Sequence, residues 1–239
     1  MNSLCPLLLM LIGFCAQNGY SQSDSLYKWG WTIHVNGGLN GYHFTQMERN
    51  LGNEFPYDDR YSNGGMEIGA DGSVLLFKHF VVRGNYFDTR AFRFSGPDVD
   101  GVWRVRAGSI GIGYAEISQA DQFLLIPSLS YGWGRGTLDL TATGDMEFGD
   151  YVFRDDDNAT FHQQTHFLDL NMLFGKMIVL RKGDNPFVFT PAVSLGFKYG
   201  LNRGDWRTEG AESVVNDVVG GRFYGAYLKF EIGMGVFQM

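Results

Sequence analysis

The chain has 239 residues, of which 44% are apolar, 15% aromatic and 19% charged, and its formal net charge is −7. The 20 Phe, 12 Tyr and 5 Trp exclude a disordered or collagen-like chain, because both classes are poor in large rings. The acidic balance also excludes a typical nucleic-acid-binding protein, which needs a basic surface to neutralise phosphates.

The first segment, residues 1–22, has the pattern of a secretory signal peptide. Its apolar run at 7–14 is too short to span a bilayer and is followed by small and polar residues. We therefore expect residues 1–22 to be removed and residues 23–239 to form a single domain. Removal would take away both cysteines, Cys5 and Cys15, which excludes a disulfide or a cysteine-ligated metal in the mature chain.

The rest of the chain alternates between apolar and polar residues, which is the period of a β-strand. Eight such segments follow in order, at residues 29–42, 66–76, 80–95, 103–114, 125–134, 165–175, 187–199 and 224–236. In the fourth segment, Trp103 and Val105 form the apolar face at first, and Ile110 then takes it over in the opposite phase. We expect a β-bulge at residues 108–110, because one extra residue shifts the phase of a strand.

The links between the segments alternate in length. Those after the second, fourth and sixth segments are short, whereas those after the first, fifth and seventh are long and polar, at 45–63, 143–162 and 202–221. This layout is typical of bacterial outer-membrane barrels, which have short turns in the periplasm and long loops outside the cell. The sequence therefore predicts an all-β fold: an eight-stranded antiparallel up-and-down transmembrane β-barrel.

The two faces of the segments predict which side of the barrel meets lipid. One face carries charged residues among Gly, Ser, Thr and Asn, and a narrow interior can satisfy such groups whereas hydrocarbon cannot. We expect an interior polar network of Glu67, Asp71, Arg83, Arg104, Arg106, Asp169, Lys198, Lys229 and Glu231. We expect lipid-facing positions at Ile33, Val35, Leu168, Leu170, Phe174, Val193, Leu195, Leu228, Phe230 and Ile232. We expect interfacial aromatic girdles to include Trp29, Trp31, Trp103, Trp133 and Tyr199.

Four stretches carry a resemblance to a known family. They are KWGWTIHVNGGLNGY at 28–42, IPSLSYGWGRG at 126–136, PFVFTPAVSLGFKYG at 186–200 and YLKFEIGMGVFQM at 227–239. In this pattern the chain resembles the small eight-stranded outer-membrane barrels of the OmpX and OmpW type. The resemblance implies a location in the bacterial outer membrane.

No motif for catalysis or metal binding stands out in the sequence. His162 and His166 are four residues apart, which in a strand separates them by about 13 Å, too far to share one ion. The acidic run at 155–157 lacks the ligand spacing of a calcium loop. We therefore expect no cofactor and no metal.

Three classes of function remain. We favour a non-enzymatic barrel that is a structural or accessory subunit of an outer-membrane assembly, with membrane lipid and other outer-membrane or periplasmic proteins as partners. Phe148, Tyr151 and Phe153 lie among acidic residues of the fifth link and are candidate contacts. The second class is an outer-membrane lipid-modifying enzyme or a narrow solute pore, although eight strands favour a filled interior. The third class is a soluble periplasmic lipocalin-like carrier, whose apolar face would point inward.

Overall fold

The computed structural model describes residues 27–44, 65–95, 99–118, 122–142, 146–148, 151–153, 158–201, 205–208 and 223–238. The predicted signal peptide at 1–22 lies outside these residues. Every regular element in the described ranges is a β-strand, and none of these ranges contains a helix long and apolar enough to cross a membrane.

The described strands are β1 (Trp29–Phe44), β2 (Gly65–Leu76), β3 (Phe80–Ser95), β4 (Val99–Tyr114), β5 (Glu116–Ile117), β6 (Phe123–Ala142), β7 (Met146–Phe148), β8 (Tyr151–Phe153), β9 (Asn158–Lys176), β10 (Ile178–Arg181), β11 (Phe187–Gly200), β12 (Trp206–Thr208) and β13 (Phe223–Gln238). Eight long strands among them pair antiparallel in the order β1, β2, β3, β4, β6, β9, β11 and β13. β13 then pairs with β1 from Gln238 to Phe223, which closes the barrel and leaves no unpaired edge between these strands. The predicted eight-stranded antiparallel barrel is therefore confirmed.

The short links and the two described chain ends lie at the same end of the barrel. β2 and β3 are joined by residues 77–79, where Phe77 and Lys78 have φ angles of 50° and 72°, the left-handed backbone that a tight turn uses. The Lys78 amide donates to the carbonyl of Lys28, just before β1, and the Phe237 amide donates to the carbonyl of Pro186. In barrels of this type the short-turn end faces the periplasm.

The outer wall of the barrel is apolar in the middle of its strands. Ile33, Ile68 and Phe230 are 59%, 66% and 65% exposed, although each is a large apolar side chain. Water would penalise so much exposed apolar surface, whereas acyl chains accept it. This arrangement contradicts the soluble lipocalin-like alternative, which requires the apolar face to point inward.

The predicted β-bulge in β4 is wrong. β4 keeps an unbroken register with β3 over residues 104–114 and with β6 over residues 99–113. The irregularity lies instead in β3, where the pairing with β4 shifts between Arg90 and Phe92. β4 therefore alternates in one phase along its whole length.

Side chains fill the barrel interior in three layers. The periplasmic layer is an apolar cluster of Tyr27, Leu75, Val81, Ala115, Ile117, Leu124, Ile126, Leu173, Met177, Val188, Ala192 and Phe237. The outer layer, at the opposite end, contains the buried side chains of Trp103, Val105, Leu138, Leu140 and Phe161. Between these two layers lies the charged layer, which contains the candidate functional residues.

Candidate functional site

Two ammonium groups in the charged layer share one carboxylate. Lys198 Nζ donates to both carboxylate oxygens of Glu67, at 2.8 and 2.9 Å, and Lys229 forms an ion pair with the same carboxylate. The hydroxyl of Tyr42 donates to Glu67 as well, and Lys198 Nζ donates to Tyr42 Oη at 2.7 Å. All four side chains are buried. The group is held from β1, β2, β11 and β13, so it ties four strands together across the interior.

Aromatic rings surround the two ammonium groups. Lys198 Nζ lies 3.9 Å from the ring centroid of Phe87 and 4.2 Å from that of Tyr227, which are cation–π distances. The Tyr227 hydroxyl donates to Asp169 at 2.8 Å and accepts a hydrogen bond from Asn171 Nδ2 at 2.7 Å. The rings exclude water from one side of the ammonium groups and the carboxylates neutralise the other.

A second cluster in the same layer is centred on Arg83. Its guanidinium donates to both oxygens of Glu231, at 2.9 and 2.8 Å, to Asp71 at 3.2 Å and to the side-chain oxygen of Asn171 at 2.7 Å. Ser194 also donates to Glu231. A planar guanidinium suits this task, because it can serve several acceptors in fixed directions.

His34 completes the second cluster. Its Nδ1 lies 3.0 Å from Glu231 and 3.4 Å from Asp71, while Nε2 is buried and has no hydrogen-bond partner among the described residues. A Cβ at Gly233 would come within 1.6 Å of the imidazole, so only glycine leaves space for the ring. These three residues carry donor atoms that could hold a metal ion, but Arg83 Nη2 already lies 2.8 Å from Glu231 and 3.1 Å from Asp71. The Arg83 guanidinium therefore occupies the position beside the two carboxylates that a metal ion would need.

The charges of the described interior nearly cancel. The negative groups are Glu67, Asp71, Asp169 and Glu231, and the positive groups are Arg83, Lys198 and Lys229. Protonation of His34 would bring the sum to zero. The structure places all seven of these predicted network residues inside the barrel, at 5% exposure or less.

The prediction that Arg104 and Arg106 belong to the interior network is wrong. Their side chains are 50% and 67% exposed and point outward, while Trp103 on the same strand is 2% exposed and points inward. The reason is that β4 continues beyond the apolar belt, where the outer wall meets headgroups and water. At that height polar side chains belong outside and apolar ones fill the interior. Trp103 is therefore also wrong as an interfacial aromatic.

The other predicted aromatic and lipid-facing residues lie on the outer wall. Trp29, Trp31, Trp133 and Tyr199 are all exposed, and the ten predicted lipid-facing residues alternate with the buried ones along β1, β9, β11 and β13. Phe148, Tyr151 and Phe153 belong to a separate two-stranded sheet of β7 and β8, in which Phe148 pairs with Tyr151. Their side chains lie outside the described part of the structure.

The outward arginines line a groove that the sequence did not predict. It has a volume of about 450 Å³ and is lined by Asp88, Arg104, Arg106, Arg135, Thr137, Asp139 and His162, and we call it the arginine groove. Arg106 donates from Nε and Nη2 to Asp88 Oδ2, at 3.0 and 2.9 Å. Arg104 Nε lies 3.9 Å from Asp139. The side-chain phase of β4 and β6 was the signal that could have identified this groove.

The comparisons with known proteins are distant. No family model matches the chain, and no curated protein matches its sequence. A major outer membrane protein from Thermus thermophilus is 10% identical with a TM-score of 0.43, covering 87% of this chain and 98% of that chain. Ail, the attachment invasion locus protein of Yersinia pestis, is 11% identical with a TM-score of 0.38, covering 89% and 99%. The outer membrane protease OmpT from Escherichia coli is 7% identical with a TM-score of 0.32, covering 92% and 99%.

These similarities concern the fold alone, and the location of the chain follows from its own geometry. It forms a closed eight-stranded barrel with an apolar outer belt, which is the architecture of the small outer-membrane barrels. The bacterial outer membrane is therefore its location.

Proposed function

We propose that this chain is a closed, non-enzymatic barrel that acts as a structural or accessory subunit of an outer-membrane assembly. The observation that supports it is the filled interior, in which two apolar layers enclose a charged layer that holds the Arg83–Glu231 and Lys198–Glu67 ion pairs. A pore for solutes needs a continuous polar path, and the periplasmic layer interrupts any such path with apolar side chains.

The same interior argues against an acyl-modifying enzyme. Such an enzyme needs a nucleophile, a base and an orienting acid that reach a lipid at the membrane interface. In the described residues, His34 lies beside Asp71 and Glu231, but all three are buried within the barrel. The nearby Ser194 donates a hydrogen bond to Glu231 and has no contact with His34 among the described hydrogen bonds, so it lacks the arrangement of an activated nucleophile.

The accessory role draws support from the outer end of the barrel. The fifth link carries the hairpin of β7 and β8 with three aromatic residues in its two strands, and recognition in rigid barrels is commonly located in such extensions. A partner protein could pack against this hairpin while the barrel anchors it in the membrane.

Two measurements test the proposal. In planar bilayers, the purified chain should give no stepwise conductance, and regular single-channel openings would contradict the closed interior. Chemical cross-linking in native outer membranes, followed by extraction in mild detergent, should recover the chain with one reproducible set of outer-membrane or periplasmic proteins. Recovery of the chain as a lone monomer, both with and without cross-linking, would rule out the accessory role.

A further inference from the structure

The arginine groove has no part in the proposed function, and its position on the outer wall is unusual. Charged side chains on the lipid-exposed wall of a barrel are costly at the membrane midplane but acceptable near the interfaces. Its lining residues occupy outward positions on the adjacent strands β3, β4, β6 and β9. Arg106 stands opposite Arg135, and Arg104 stands opposite Thr137, which is opposite His162.

The height of the groove follows from the geometry of β6. Phe123 and Trp133 are exposed outward residues that are ten positions apart, which corresponds to about 33 Å along a strand. A strand tilt of about 40° reduces this to about 25 Å along the membrane normal, the height of the apolar band of such barrels. Arg135 is two residues beyond Trp133 on the same face. The groove therefore begins where the hydrocarbon of the outer leaflet ends and its headgroups start.

The charge of the groove is positive, in contrast with the net charge of −7 for the chain. Three arginines face two aspartates and one histidine. Asp88 holds the Arg106 guanidinium through a single oxygen, the contact between Arg104 and Asp139 is long, and Arg135 forms no ion pair with another described residue. Within the described part of the chain, all three guanidinium ions thus keep N–H groups that are available to an outside acceptor.

The wall directly below the groove is apolar and aromatic. Ile110, Tyr131 and Trp133 are exposed there, and Tyr131 is fixed by a hydrogen bond between its hydroxyl and His166 Nδ1, at 2.7 Å. A ligand that matches both parts has anionic groups at headgroup height and hydrocarbon beneath them. A guanidinium group can donate two parallel N–H hydrogen bonds to two oxygens of one phosphate. A headgroup that carries phosphates would therefore satisfy the three arginines.

We propose that the arginine groove binds a phosphorylated lipid of the outer leaflet, with the phosphates on Arg104, Arg106 and Arg135 and the acyl chains against the wall below. Basic pockets at the headgroup level of membrane proteins commonly bind anionic lipids in this way. Lipid binding at this site requires no protein partner, so its test is separate from the test of the accessory role.

Native mass spectrometry of the refolded full chain in detergent micelles tests this inference, with bisphosphorylated lipid A as the probe and its dephosphorylated form as the comparison. We expect R104Q/R106Q/R135Q to bind the phosphorylated lipid about tenfold more weakly than wild type, as the loss of charge-assisted hydrogen bonds predicts. The matched control K176Q/R181Q/K182Q removes three positive charges from exposed positions at the short-turn end, and it should bind like wild type.

R135Q alone is the second variant, because Arg135 has no ion pair within the described part of the chain whose loss could disturb the fold. It should weaken lipid binding while keeping the heat-dependent gel shift of a folded barrel. Equal binding by wild type, R135Q and the triple variant would overturn the proposal, as would equal binding of the dephosphorylated lipid. Displacement of the lipid by millimolar inorganic phosphate would also overturn it, because the groove would then be a site for free anions.

Discussion

Lys198 on β11 donates hydrogen bonds to both carboxylate oxygens of Glu67 on β2, although β13 and β1 lie between these strands in the barrel wall. The contact therefore crosses the interior instead of following the sheet. Together with Lys229, which reaches the same carboxylate from β13, it links strands that share no backbone hydrogen bonds.

The first prediction concerns Glu67. E67Q leaves two buried ammonium groups without their shared counter-charge, and breaking a buried ion pair in this way costs about 3–5 kcal/mol. We expect a loss of this size in the free energy of unfolding, measured by guanidinium titration in phospholipid vesicles. E116Q is the matched control at a partly exposed position of β5 and should be neutral. A neutral E67Q would show that the two lysines find other partners.

The second prediction compares a buried and an exposed ion pair. R83M leaves the buried carboxylates of Asp71 and Glu231 without the guanidinium that neutralises them. R106M removes a guanidinium that is 67% exposed and paired with Asp88. We expect R83M to lower the free energy of unfolding by about 3–5 kcal/mol and R106M to leave it unchanged in detergent. Equal effects of the two substitutions would contradict the assignment of Arg83 to the interior and Arg106 to the outer wall.

The third prediction tests how tightly the charged layer is packed. A Cβ at Gly196 would lie 2.2 Å from the ring of Tyr227, which is held in place by Asp169 and Asn171. G196A should therefore destabilise the barrel by about 1–3 kcal/mol, the usual cost of overpacking.

Gly84 provides the control for this prediction, since a Cβ there meets no atom closer than 3.9 Å. G84A should be neutral or slightly stabilising, because glycine in a strand has a larger conformational entropy to lose. The transition temperatures of the two variants are compared by heating, with the heat-dependent gel shift as the measure of the folded fraction. A lower transition temperature for G84A than for G196A would contradict the packing described here.

The sequence predicted the barrel well where its strands cross the lipid. The seventh and eighth segments, predicted at 187–199 and 224–236, correspond to β11 (Phe187–Gly200) and β13 (Phe223–Gln238). In those segments hydrocarbon outside and ion pairs inside enforce opposite chemistry on the two faces. The alternation is then strong enough to fix both the strand and its orientation.

The assumption that apolar residues face outward failed where the strands extend beyond the lipid. The fifth segment was predicted to end at 134, but β6 continues to Ala142 with Arg135 and Asp139 outside and Leu138 inside. Alternation persists there with the polarity of its faces exchanged. A reading that equates apolar with outward therefore infers a bulge or a strand end, although the backbone continues unchanged. The contacts across the interior were not predictable either, because they depend on the stagger of the closed sheet.

The fourth prediction tests the apolar belt directly. Phe230 lies at the middle of the outer face of β13, and F230R places a guanidinium where only acyl chains surround it. We expect a loss of about 2–4 kcal/mol in the free energy of unfolding in vesicles, against about 0–1 kcal/mol for Q164R, which is exposed at the level of the arginine groove. The difference should shrink in short-chain detergent micelles, whose water-penetrated surface lets the arginine reach solvent. If F230R and Q164R unfold alike in vesicles, the wall at Phe230 does not face hydrocarbon, and the membrane-spanning belt must be located elsewhere on the barrel.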